Sequence, residues 1–186
     1  GHFIYASMAS ADRWPKIDRL EAKYTVENHL RWIGLNRTIL RPTLFIEDHV
    51  GPDPMVWVRR GRFFSPLPPG RKIQLSAVED LGSFAVAAFL HPERFMGKSI
   101  AFAGMEVTNA EIARALSEAS GRKVRVRRLP RSLSRVLLGR GLHQIYRKLS
   151  SSGYGLDLEG IASAFPNVET THLSEWLRPR LARKAG

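Results

Sequence analysis

The chain has 186 residues, 44% of them hydrophobic and 25% charged, enough for one domain with a sizeable core. It holds no cysteine, which excludes disulfides, thiolate nucleophiles and cysteine-ligated metals and fits a reducing cytoplasm, and it has no apolar run of about 18 residues to span a membrane. Lys and Arg number 29 against 17 Asp and Glu, a formal net charge of +12, so the surface attracts anions: nucleotides, nucleic acid or acidic lipid.

The first element is a β-prone run, His2–Ser7, which reads as a buried strand ending in small polar residues. A strand that wants burial on both faces seldom opens a self-contained domain, so the chain is expected to continue upstream. Ile17–Ile33 reads as a helix, with Pro15 just before it and Gly34 placed to stop it. Ile17, Leu20, Tyr24, Val26, Leu30 and Ile33 carry its apolar stripe. Arg37–Ile46 is a second apolar run. Strand, helix and strand within about 45 residues have the rhythm of a parallel βαβ unit.

Val50–Gly70 is rich in Pro and Gly, with Val56–Val58 and Phe63–Phe64 as short extended segments. Ile73–Val78 reads as a strand. Asp80 is placed as N-cap of a helix through Leu90, whose apolar interior predicts burial. Ser99–Ala103 is another strand. Thr108 and Glu111 form a capping box for a helix that Gly121 closes. Val124–Leu129 alternates apolar and basic residues, the pattern of an edge strand with one wet face. Arg131–Leu149 is a basic helical region, Ser150–Gly155 a break, and Leu158–Phe165 and Thr171–Leu181 two terminal helices.

Between Ala119 and Leu156 there is no acidic residue, while ten Lys and Arg side chains crowd the stretch. Only Tyr146 and Tyr154 interrupt it, so it offers no stacking platform for bases, and no helix-turn-helix, finger or RNA-binding motif accompanies it. It reads first as a solvated Arg-rich face, and otherwise as a nucleic-acid or anionic-lipid surface, or as one complementary to an acidic half missing from this chain or to substrate. His29, His91, His143 and His172 are scattered without metal-ligand spacing, so no metal site is expected.

Six segments, in order, resemble the NmrA-like family of atypical short-chain dehydrogenase/reductases. They are His2–Ser7, Lys23-Tyr24-Thr25-Val26-Glu27 (K-x-x-x-E), Thr38–Phe45 (T-x-L-R-P-x-x-F), and Val78-Glu79-Asp80-Leu81-Gly82. The last two are Gly97–Ile100 with Thr108–Ile112, and Ala164-Phe165-Pro166 with Glu175-Trp176-Leu177. The resemblance implies the C-terminal part of a doubly wound, Rossmann-type α/β fold plus a smaller mixed substrate-binding region. Residues 1–50 would be the last βαβ portion of the dinucleotide-binding domain, and 51–186 the substrate-region and sheet-completing elements. The implied cofactor is NAD or NADP, and the implied activity is oxidoreduction of a small carbonyl or quinone-like substrate.

The departures are as informative. The Gly-rich turn G-x-x-G-x-x-G, whose backbone N–H groups meet the pyrophosphate, is absent from the 186 residues, and with it whatever reads the ribose 2′ position. Orthodox reductases carry Tyr-x-x-x-Lys; here the position four before Lys23 is Arg19, whose pKa is too high for it to protonate a carbonyl. This keeps open a non-catalytic dinucleotide sensor that binds a protein partner, and, third, a basic nucleic-acid or membrane-surface module.

By the resemblance, Lys23 would hold the nicotinamide ribose hydroxyls; the plain alternative is an exposed ion pair with Glu27 one turn on, worth roughly 0.2–0.5 kcal/mol. Ser7, at the carboxyl end of a parallel strand, would hydrogen-bond a substrate carbonyl or the nicotinamide amide, or else merely cap the next loop. Pro42 and Thr43 would line the nicotinamide pocket, or form only a loop turn. Tyr5 and Tyr24 are hydroxyl candidates but read better as core aromatics. Asp80 and Thr108 read as helix caps.

Overall fold

In the computed structural model, which describes residues 1–51 and 53–182, the opening apolar run is strand β1 (Phe3–Ala6), followed by helix α1 (Asp18–Trp32) and strand β2 (Arg37–Pro42). Pro52 of the expected loop and the last four residues lie outside the description. β1 and β2 run parallel, with Tyr5 opposite Ile39, and the later segment Ser99–Phe102 adds to the far side of β2. The βαβ unit expected from the residue pattern is therefore present, and its parallel pairing needs the helical crossover that α1 provides.

The second run does not continue as one strand. It breaks at Thr43 into β3 (Leu44–Phe45) and the single-turn helix α2 (Ile46–Val50), which belong to a different layer. Val56–Val58, expected to be extended, instead lies in helix α3 (Met55–Arg60). Asp53 caps its start by accepting from Met55 N at 3.1 Å, Trp57 Nε1 donates to Val50 O, and Val58 is buried, so tertiary contacts override β-propensity. Phe63–Phe64 is extended as expected, in β4 (Arg62–Ser65).

β5 (Lys72–Ser76) leads to α4 (Val78–Leu90), the short α5 (Pro92–Phe95) and β6 (Ser99–Phe102). β7 (Met105–Thr108) then feeds α6 (Asn109–Ser120), whose capping box is present: Glu111 N donates to Thr108 Oγ1 at 3.1 Å and Thr108 N donates to Glu111 Oε2 at 2.7 Å. β8 (Arg125–Arg128) pairs in parallel with β4 as a two-stranded edge ribbon. The remaining helices are α7 (Arg131–Ser151), α8 (Leu158–Ala164) and α9 (Leu173–Ala182).

Three sheets result: β1-β2-β6, all parallel; β3-β5-β7, in which β5 and β7 are antiparallel; and β4-β8. Alternation along β2 sends its side chains to two faces. Leu40 packs with Phe84, Ala88 and Phe102 on the α4 side, where the Phe84 and Phe102 rings stack at 4.0 Å. Arg41 points the other way, to Glu27 of α1. A larger core joins Trp14, Ile17 and Leu20 from the chain's start to Phe63, Leu75, Ile145 and Trp176.

The expected basic helical region is α7, and it is kinked. Gly139 sits at φ 72°, ψ 167°, a region that side chains disfavour. A Cβ there would meet nothing within 4 Å, so the penalty for Gly139→Ala is conformational only. It should lower stability by about 1–3 kcal/mol, read by urea unfolding. No change would mean that the two halves of α7 can straighten freely.

Candidate functional site

The pleat decides where the polar residues of β1 and β2 point. Ile4 joins the α4-side cluster, so Tyr5 and Ser7 face α1, the same side as Arg41. Two α1 residues one turn apart meet them there. Lys23 Nζ donates to Ala6 O at 2.8 Å and stands 5.2 Å from the centre of the Tyr5 ring. Glu27 is completely buried and accepts from Ser7 Oγ at 2.5 Å, from Arg41 Nε at 2.9 Å and Nη2 at 2.6 Å, and from Arg31 at 2.9 Å. Arg41 reaches on to Asp12 at 2.6 Å.

Glu27 thus never pairs with Lys23 as the plain reading of that helix had it; its two cations are Arg31 and Arg41. Burial works to raise the Glu27 carboxyl, but the hydrogen bonds from Arg41 and Ser7, and the charge of Arg41, outweigh it and hold the carboxyl below its ordinary range. The carboxylate is therefore ionised, and it takes the Ser7 hydroxyl proton as a hydrogen bond. Ser7 Oγ keeps its lone pairs, so it can accept from a ligand N–H but has no proton left to give a carbonyl.

Pro42 and Thr43 lie at the carboxyl end of β2, beside that of β1. Two of their polar backbone atoms are already engaged: Ala9 N donates to Pro42 O at 2.8 Å, and Thr43 N donates to Phe102 O at 3.1 Å. The Thr43 hydroxyl is buried against Ser76 Oγ at 3.0 Å. This corner offers a ligand a rigid wall and few free polar partners. Lys23 is the opposite case. An ammonium has three protons and one is on Ala6 O, so two remain for a ligand.

Other candidates separate from this cluster. Arg19 is exposed, and a Cβ on Gly141 of α7 would stand 3.7 Å from its Cβ. Burial, and then the Glu27 charge, raise the Tyr5 hydroxyl above its ordinary pKa, which makes it a poorer acid. Tyr24 lies under Arg31, 5.8 Å from ring centre to guanidinium. Thr108 is the cap expected. Asp80 is not an N-cap but sits at the third helical position: Ala77 occupies the cap, and its N–H donates to Asp80 Oδ2 at 2.7 Å. Among the described residues no group of three ligands fits a metal ion, and no helix is long and apolar enough to cross a membrane.

Two features were not weighed from the residue pattern. Arg41 completes the buried Glu27 pair and reaches out to the exposed Asp12, and the signal was available: an Arg inside an apolar strand needs a carboxylate. His49 is wholly buried between Tyr146 Oη (2.8 Å) and Asn109 Oδ1 (2.7 Å), and burial pushes its pKa down to about 4, so it is a neutral structural link. Nothing in the spacing around residue 49 announces that.

Parallel strands whose carboxyl ends carry this polar cluster, with helices on both faces, define a Rossmann-type α/β protein. The chain belongs to the NmrA-like family, whose model matches residues 1–175. It is similar in fold to an NADPH-dependent quinone oxidoreductase from Escherichia coli, solved with NADPH (23% identity, TM-score 0.75), covering 100% of this chain and 66% of that one. A triphenylmethane reductase from Citrobacter sp., solved with NADP(H), matches at 19% identity and TM-score 0.78, covering 96% of this chain and 65% of the other. The negative transcriptional regulator NmrA, solved with NADP, matches at 18% identity and TM-score 0.67, covering 98% and 65%. The chain thus spans about two thirds of the length of these proteins.

Proposed function

We propose that this chain supplies the nicotinamide end of an NAD(P) site in an oxidoreductase acting on a small carbonyl or quinone-like substrate. The observation that carries the reading is the meeting of Lys23 and Ser7 at the carboxyl end of β1, next to the Pro42–Thr43 corner, where ligands bind in open α/β sheets. The residues fit the group. Lys23 has two ammonium protons for the ribose hydroxyls, Ser7 Oγ accepts from the carboxamide N–H, and Pro42 and Thr43 back the ring. The dinucleotide, when bound, supplies the hydride. Glu27 keeps Ser7 in its accepting orientation and ties α1, hence Lys23, to the sheet.

One observation favours a second reading, a dinucleotide sensor acting through a protein partner. Apart from Lys23, the described residues of the site offer no ready proton donor: Ser7's proton is held by Glu27, Tyr5 is a weakened acid, and residue 19 is Arg.

The test is a titration of the 15N-labelled chain with NADPH. The amides of Ser7, Lys23 and Thr43 should shift most, with an affinity weaker than micromolar because no Gly-rich phosphate turn is present. Lys23→Ala should weaken the binding further. Shifts that leave these residues untouched would reject the site. Oxidation of NADPH on adding a quinone separates the two readings: turnover favours the oxidoreductase, and binding without turnover favours the sensor.

A further inference from the structure

The acid-free stretch from Ala119 to Leu156 folds into β8 and α7, and three of its cations meet a fourth from far away in the sequence. Lys16, just before α1, stands with Arg128, Arg147 and Lys148 around one open cavity of about 450 Å³. Among the described residues no carboxylate lines it. Arg31, Arg41, Lys72, Arg114 and Arg180 each have a carboxylate partner; the four cavity cations, like most of the chain's other cations, enter no ion pair among the described residues, and what sets them apart is that they share one cavity.

Gathering like charges around a concave space raises the local potential and concentrates anions there. A flat solvated face would let four long side chains splay apart; here the fold holds their roots on β8, on α7 and on the turn before α1, around a common void. The volume lies within the range of small-molecule sites, roughly 300–1,000 Å³, and is too small to admit a duplex. The wall adds the Ser150 hydroxyl and the His143 ring, which Ser134 Oγ holds at 2.9 Å. The helix carbonyls at the end of α7 would repel an anion, but Ser151 and Ser152 cover two of them, at 3.1–3.3 Å.

We propose that this cavity is a binding site for a small molecule carrying a phosphate or diphosphate group. The site stands apart from the Lys23–Ser7 cluster and does not depend on the dinucleotide reading. Arg128 and Arg147 supply planar forks for phosphate oxygens, and Lys16 and Lys148 supply point charges.

The experiment is a titration of the labelled chain with inorganic pyrophosphate, with NaCl adjusted to hold ionic strength constant. Saturable shifts at Ser134, His143, Gln144 and Ser150 are expected, with a dissociation constant of about 1 mM or below. The double variant Arg147→Glu, Lys148→Glu should weaken binding at least about tenfold. The control Arg122→Glu, Arg125→Glu makes the same charge change on residues that do not line the cavity and should weaken binding clearly less than the cavity variant, because it removes no contact to the anion. If NADPH displaces pyrophosphate with the same shifts, the diphosphate the site takes is the dinucleotide's own; if it does not, the ligand is a separate phosphorylated molecule. Both uphold the site. No saturable response, or equal loss in the control, overturns it. So does binding of a DNA duplex or of anionic vesicles without a pyrophosphate response, which would return the stretch to a macromolecular surface.

Discussion

Glu27→Ala will cost about 3–5 kcal/mol of folding stability, the range for removing one member of a buried ion pair. The Glu27 side chain is fully buried and that of Arg41 is 9% exposed, so the deletion strands a guanidinium with only Asp12 beside it, along with the Ser7 hydroxyl. Arg31 is a third exposed and contributes little to that figure. Glu27→Gln keeps the shape but not the charge and should lose less than Ala. Replacing Glu27 and Arg41 together by leucines should recover much of the loss, because the cost lies in the orphaned charge. Urea unfolding measures all three; a loss under about 1 kcal/mol for the alanine variant would mean that water reaches the network.

The same network sets an acid dependence. The Glu27 carboxyl lies below its unfolded value of about 4.3, so its stabilisation is complete above that pH and is lost as pH falls through the lower folded pKa. In Glu27→Ala this part of the acid limb should flatten. The consequence reaches the site, since Glu27 orients Ser7 and pins α1 against β2. Glu27→Gln should therefore weaken NADPH-induced shifts at Ser7 even under conditions where the fold is intact.

The second large effect centres on Asp80, which is 1% exposed. One oxygen accepts from Ala77 N at the start of α4 and the other from Thr171 N ahead of α9, both at 2.7 Å. One carboxylate thus closes a helix end and clasps the C-terminal segment to the core. Asp80→Ala leaves two backbone donors without acceptors and should cost about 2–4 kcal/mol. Gly104 is its counterpart: a Cβ there would stand 2.3 Å from Asp80 Oδ2 and 3.1 Å from Thr171 O. A side chain this short and doubly bonded cannot swing away cheaply, so Gly104→Ala should cost a similar amount. The two losses act on one contact, and the double variant should lose clearly less than their sum. Strict additivity in that double-mutant cycle would show that Gly104 matters for some other reason.

Local chemistry made much of the frame readable. The apolar run at Phe3–Ala6, the stripe of α1 and the run at Arg37–Pro42 predict a parallel βαβ unit, and the Thr108–Glu111 box places the start of α6, because periodicity and capping act over a few residues. The ordered motifs from His2 to Leu177 led to the family, and the NmrA-like match over residues 1–175 agrees. The pattern also placed Ser7 and Lys23 near one strand end. It did not show that Ser7's proton is spent on Glu27, or that Arg41, 14 residues on, is Glu27's partner. It made Val56–Val58 extended, since β-propensity does not see the burial of Val58. It took Asp80 for a cap, since Thr171 is 91 residues away. The acid-free stretch was visible as composition, but only the packing of β8 and α7 against the approach to α1 turned four of the chain's cations into a cavity wall. Residue identity determined which charges this protein has to satisfy; the tertiary structure decided which of them found partners, because burial and pairing depend on distance in space and not along the chain.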